Sequence, residues 1–138
     1  MRTYDVNKVK AATAQYAREI EGFHPEEWLS NEKNIALIND NDDVALFEHQ
    51  ADLLNTVCGH YFFFSRGKEA VKAAEQFLEE VFETTYVQII TGLTPADHKA
   101  ALWMNRRLGF SQHGEVSTVI GPCKFVVLTK QEWKDRIK

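Results

Sequence analysis

Residues 62–70, Phe62-Phe63-Phe64-Ser65-Arg66-Gly67-Lys68-Glu69-Ala70, set a glycine between two cations where an aromatic run gives way to an alanine-rich segment. A helix beginning there offers unpaired backbone N–H groups and the positive end of its dipole, a combination that binds phosphate. Arg66 and Lys68 add positive charge. A pyrophosphate cradle is therefore one reading of this stretch. A plain strand-to-helix turn with a solvated Arg and Lys is the other, and a single glycine does not separate them.

A second stretch, HKAALWMNRRLGF at residues 98–110, ends a helical pattern on two arginines and a Gly-Phe pair. Arg106 and Arg107 suit the negative end of the helix dipole, and Gly109 suits the left-handed residue that closes a helix. Leu108 and Phe110 can pin that corner. Metal chemistry finds no footing: the histidines lack ligand spacing of the His-Glu-x-x-His kind. The acidic run Asn39-Asp40-Asn41-Asp42-Asp43 lacks the central glycine and closing glutamate of a calcium loop, and reads as a hairpin turn. Cys58 and Cys123 are too few and too far apart for a disulfide framework, and read as reduced core thiols.

The elements that would position these residues follow from periodicity. Val9, Ala12, Tyr16 and Ile20 make one apolar stripe of a helix over 5–21 that Gly22 ends, and a short helix follows at 24–29. Strands are expected near 34–39, 43–49, 56–65, 85–91, 110–119 and 123–129, with a weak strand at 1–5. The continuous Phe62-Phe63-Phe64 suggests a central strand covered on both faces. A helix over 67–83 carries Ala70, Ala73, Ala74, Phe77, Leu78, Val81 and Phe82 on one face. Thr94-Pro95-Ala96-Asp97 reads as the start of the next helix, with Thr94 as cap. The last two strands meet at Gly121-Pro122, and QEWKDRIK reads as a polar tail. Trp28, Trp103 and Trp133 read as packing residues. The fold class expected is α/β (α+β): a mixed central sheet with helices on both faces, in one domain over 1–138.

The whole chain sets the bounds. It has 138 residues, 44% hydrophobic and 26% charged, the composition of an ordinary globular protein. A net charge of −4 argues against a nucleic-acid partner. No apolar run is long enough to span a membrane and no signal peptide is evident, so a cytoplasmic location is expected. A homodimer is left open.

Taken together, strand, Arg-Gly-Lys, alanine-rich helix, strand, helix ending Leu-Gly-Phe, and a two-strand finish resemble the GNAT superfamily of acyl-CoA-dependent N-acyltransferases. Ala101, Leu108, Gly109 and Phe110 match the family's later motif in spacing. His98 stands where the family has Asn, and Asn105 where it has the Tyr that protonates the departing thiolate. The phosphate loop is degenerate, with no clean register for its glycines. The chain also resembles, more loosely, small GNAT-like proteins of bacteriophages. The resemblance implies a GNAT-like fold, acetyl-CoA (CoA) as cofactor, and a small-molecule or protein amine as acceptor. It implies that Phe62, Phe63, Phe64, Arg66, Gly67, Lys68, Glu69, Ala70, His98 and Ala101 line the cofactor. It implies amide donors for the carbonyl oxygen around Tyr61–Phe63, with Glu48 or His60 (His49 being a third candidate) as base, and Asn105 beside the sulfur. Tyr61 or Tyr86 could stand in as acid. N-acetyl transfer to an amine is the activity implied. The alternative is a GNAT-fold binding or phage assembly protein that has lost transfer.

Overall fold

The computed structural model describes residues 1–14 and 23–136. Tyr16, Ile20 and Gly22, expected to complete and close the first helix, lie outside the described residues. Among the described residues six strands form one sheet in the order β1-β2-β3-β4-β6-β5. They are β1 Ile35–Ile38, β2 Val44–His49, β3 Thr56–Phe62, β4 Ile89–Pro95, β5 Ser111–Thr118 and β6 Gly121–Thr129. The helices are α1 Val6–Thr13, α2 Pro25–Ser30, α3 Lys68–Thr84, α4 Lys99–Leu108 and α5 Lys130–Arg136. The sheet is mixed: β3 and β4 run parallel, and every other neighbouring pair is antiparallel. This is the α/β fold expected, with helices on both faces.

Alternation along the strands sorts side chains into two cores. On one face, Ala36, Val44, Leu46 and Phe62 pack with Val9 and Ala12 of α1 and Leu29 of α2. On the other, Ile35, Leu37, Ala45, Phe47, Val57, Ile90, Val126 and Leu128 pack under α3, with Leu108 and Trp133 closing the layer. The α3 stripe buries all seven positions that its period predicted, and Val71 as well. In place of a weak first strand there is a single bridge, Arg2 to Leu37.

Three boundaries differ from expectation. The strand read as 56–65 ends at Phe62, because the next amides are captured from outside the sheet: Phe64 and Ser65 both donate to Asp43 Oδ1, at 2.7 and 2.9 Å. The strand read as 85–91 is shifted to 89–95. Thr94 therefore does not cap a helix; it pairs with Lys124 of β6, and Pro95 with Cys123. The pairing partner offered by the nine-residue β6 outweighs the local Thr-Pro-x-Asp signal. The cap of α4 is His98, whose Nδ1 accepts from Ala101 N at 3.2 Å. Finally, the polar tail is the helix α5. Thr129 and Glu132 make a reciprocal capping box at its start, and Trp133 is buried.

Candidate active site

The geometry that could hold a ligand lies where β3 and β4 part. Their parallel ladder has three rungs: Thr56–Ile89, Val57–Ile90 and Cys58–Thr91. Beyond them β3 continues to Phe62 against β2, and β4 to Pro95 against β6, with no rung joining the two. A V-shaped opening results in the middle of the sheet. It starts at Gly59 and Gly92, both tightly fitted. A Cβ on Gly59 would lie 3.2 Å from Ile90 Cγ2, and one on Gly92 would lie 3.3 Å from Val126 Cγ2 and 4.0 Å from Gly59 O. The Gly59 carbonyl therefore points at β4. Alternation then turns the Tyr61 peptide toward the opening and the Phe62 peptide toward β2.

The loop from β3 to α3 is fixed from two sides. Asp43, at the end of the 39–43 turn, has 0% exposure. Its carboxylate accepts the Phe64 and Ser65 amides, Ser65 Oγ at 2.6 Å and Asn39 Nδ2 at 3.0 Å. Burial pushes its pKa up, but those hydrogen bonds, led by Ser65, outweigh burial and hold it below the usual value. Arg66 folds back, its Nη1 donating to Phe63 O at 2.5 Å and Ser65 O at 3.0 Å. Gly67 then takes φ 59° and ψ −130°, a conformation that L side chains rarely adopt, and nothing lies within 4 Å of where its Cβ would be. No side chain caps α3. Lys68 and Glu69 are exposed in its first turn and Ala70 is buried. Phe62 and Phe63 are buried core residues, while Phe64 is 47% exposed.

Two candidate bases, Glu48 and His60, share the face of the sheet that carries α1 and α2. Glu48 is paired across the ladder with Cys58, and His60 lies two residues further along β3, opposite Leu46. Glu48 is exposed and its Oε2 accepts from Trp28 Nε1 at 3.2 Å. His60 is exposed, yet the protein around it desolvates the ring and pushes its pKa down; the Glu48 charge opposes that. Cys58 is pushed up to about 11, by burial first and then by Glu48, against a hydrogen bond from Thr91. It stays a neutral thiol, so it is no nucleophile at ordinary pH. His49, by contrast, belongs to a structural network: its Nδ1 meets Tyr86 Oη at 3.1 Å, and that hydroxyl donates to Lys33 O at 2.7 Å.

On the opposite face α4 reaches the other arm of the opening. Asn105 is buried, and its Nδ2 donates to Thr94 Oγ1 at 2.9 Å. His98 is exposed at the helix start and Ala101 is half-buried one turn on. The helix ends as its sequence required: Gly109 is left-handed at φ 96°, Phe110 N returns to Asn105 O at 3.0 Å, and Leu108 and Phe110 are buried. Among the described residues no cluster of three or more His, Cys, Asp or Glu could hold a metal, and no helix is long and apolar enough to cross a membrane.

Sequence reasoning missed Asp43 and Thr94 as parts of this region. No protein-family model matches the chain, and no curated protein matches it. Solved structures do. Mutant forms of the spermidine/spermine N-acetyltransferase SpeG from Vibrio cholerae match with a TM-score of 0.78 at 8% identity, over 100% of this chain and 96% of theirs. Aminoglycoside acetyltransferase AAC(6')-Ib in complex with coenzyme A and kanamycin matches with a TM-score of 0.65 at 18% identity, over 83% of this chain and 80% of that one. The same enzyme with paromomycin and acetyl-CoA gives 0.63 at 17%, over 91% and 92%. The chain therefore has the fold of the GNAT acetyltransferases.

Proposed function

We propose that the protein is an acetyl-CoA-dependent N-acetyltransferase acting on a small-molecule amine. The observation that carries this reading is the three-rung seam between β3 and β4, which opens the sheet beside the uncapped start of α3. The residues present fit the cofactor. The opening takes an extended arm, and the amides from Arg66 to Ala70 offer donors for a pyrophosphate, with an exposed Lys68 beside them. Gly67 keeps that approach clear of a side chain. Ala101 and His98 flank the same opening from α4. Solved structures of this fold that hold coenzyme A or acetyl-CoA support the assignment.

When bound, acetyl-CoA supplies an acetyl group activated as a thioester. The chain's own residues do the rest. The Tyr61 N–H faces the opening and is placed to meet the carbonyl oxygen, the preorganised donor that acyl transfer requires. His60, held neutral by desolvation, accepts the amine proton on the α1/α2 face. Glu48 keeps its basicity up. Asn105 has no titratable proton to offer a leaving thiolate. It can contribute a hydrogen bond through the second N–H of its amide, the first being committed to Thr94.

The test is calorimetric titration with acetyl-CoA and CoA, followed by CoA release against a panel of amines. Micromolar binding with amine-dependent release supports the reading. Binding without release above background for any amine favours the alternative, a GNAT-fold binding protein, whose specific support is Asn105 standing where a phenol would serve as acid. Absence of binding to either compound removes the cofactor assignment.

A further inference from the structure

We propose that Asp43 is a positioning residue for cofactor binding: its carboxylate holds the loop from β3 to α3 in the binding form before a ligand arrives, so that the amides from Arg66 to Ala70 meet a pyrophosphate without rearrangement. The proposal deepens the function proposed above and rests on it. Asp43 is wholly buried, so it touches no ligand and acts through the loop. It ends a turn that is itself locked. Asn39 N donates to Asp43 O at 3.2 Å, and Asn39 Oδ1 accepts from Asn41 N and Asp43 N, each at 3.0 Å. Asn39 Nδ2 donates to Asp43 Oδ2 at 3.0 Å. The turn therefore fixes where the carboxylate points.

From that turn the carboxylate reaches across to the loop. Its Oδ1 accepts Phe64 N at 2.7 Å and Ser65 N at 2.9 Å, and its Oδ2 accepts Ser65 Oγ at 2.6 Å. Two consecutive amides are thus turned into the protein, which sets the direction in which the chain leaves the sheet. Arg66 bonds back to Phe63 O and Ser65 O, and Gly67 makes the turn at φ 59° that launches α3. Val71 N donates to Gly67 O at 3.2 Å, the first bond of the helix, so the amides ahead of it are those a helix leaves unpaired. Every step between Asp43 and those amides is a hydrogen bond or a fixed turn. Charge alone would work the other way, since a carboxylate near an anion site disfavours the anion. The gain that offsets this is order. A free Ser65-Arg66-Gly67 loop would have to be fixed at the moment of binding, and that loss of entropy weakens affinity. Asp43 completes the ordering during folding.

The experiment measures CoA affinity by calorimetry, well below the melting transition of every variant, so that lost global stability does not enter. Asp43→Ala frees the loop and is expected to raise the Kd for CoA about tenfold, the effect of a loop that visits its binding form about one-tenth of the time. Asp43→Asn keeps an oxygen for the Phe64 and Ser65 amides and a nitrogen that can donate to the Ser65 hydroxyl. It is expected to bind CoA within about threefold of the wild type. A residue serving stability alone would leave both affinities at the wild-type value; that result overturns the proposal and leaves the cofactor assignment standing. An equal loss in the two variants also overturns it, since the effect would then follow the charge and not the hold on the loop. Hydrogen exchange on the wild type gives a second reading that needs no variant. The Phe64 and Ser65 amides should be protected without CoA and little slower with it. Free exchange that CoA then suppresses means a loop ordered by the ligand, and overturns the proposal even where Asp43→Ala fails to fold. A wild type that binds no CoA removes the cofactor assignment and this proposal with it.

Discussion

His60 titrates under two opposed influences, and the sign of each gives a prediction. Desolvation lowers its pKa, so the ring is neutral at pH 7 and gains its proton only below the ordinary histidine value of about 6.5. If it is the base, turnover should fall as pH drops through that lowered pKa. Glu48→Gln removes the charge that raises it, so the rising limb should move to still lower pH. His60→Ala should abolish the limb and cut turnover roughly a hundredfold or more. A limb that Glu48→Gln leaves in place would mean another group carries the proton. Asp43 gives a second prediction. Asp43→Ala strands the Phe64 and Ser65 amides and should cost about 3 kcal/mol, read by urea denaturation. Because its folded pKa lies below the unfolded one, the stabilisation is present above the unfolded value of about 4 and is lost as pH falls further. The acid limb of stability should therefore flatten in Asp43→Asn. The site residues differ in legibility for a physical reason. Gly109 and Phe110 declared themselves because a helix end has local chemistry. Asp43 did not, because its partners lie 21 and 22 residues away, and nothing in a turn-forming Asn/Asp run marks one carboxylate as the holder of another loop.

Elements show the same division. The α3 stripe and the strands on either side of the 39–43 turn were legible, since period and burial agree there. The start of α3 yields a test that separates its two cations. Arg66 is engaged with two loop carbonyls, whereas Lys68 is exposed in the first turn. Lys68→Glu should weaken CoA binding by about 1 kcal/mol with little change in melting temperature, while Arg66→Glu should lower both. Equal affinity in Lys68→Glu would place the pyrophosphate elsewhere. The helix α5 carries its own signal, the capping box Thr129-Lys130-Gln131-Glu132, although the charged run behind it reads as a tail. Its one apolar anchor decides the matter. Trp133 is buried, packs on Phe82 and donates Nε1 to Glu79 at 2.8 Å. Trp133→Ala should cost about 4 kcal/mol and Thr129→Ala about 1 kcal/mol in equilibrium unfolding. The misplaced start of α4 is the opposite case. Thr94-Pro95 carries a helix signal, and only the presence of β6 alongside, invisible in the local sequence, turns it into a strand.

At the scale of the molecule the sheet is two ladders, β1-β2-β3 and β4-β6-β5, joined by three rungs. One core spans the seam from beneath, with Val57 and Ile90 from either side of it packed under α3. Peptides covering 56–58 and 89–91 should therefore exchange hydrogen slowly, and peptides covering 59–62 and 92–95 faster. Added CoA should slow the second pair more than the first, and uniform slowing would argue against a ligand in the opening. The seam also has a mechanical meaning. Three rungs resist sliding of one ladder past the other but resist twisting only weakly, so the molecule resembles a pair of blades on a short pivot. A guest seated between the blades stiffens the pivot at its open end. Its grip then depends on how far the blades gape as well as on what it touches. A larger residue at Gly59 or Gly92, where the opening starts and where an added Cβ would meet Ile90 or Val126, should retune affinity by altering the gape.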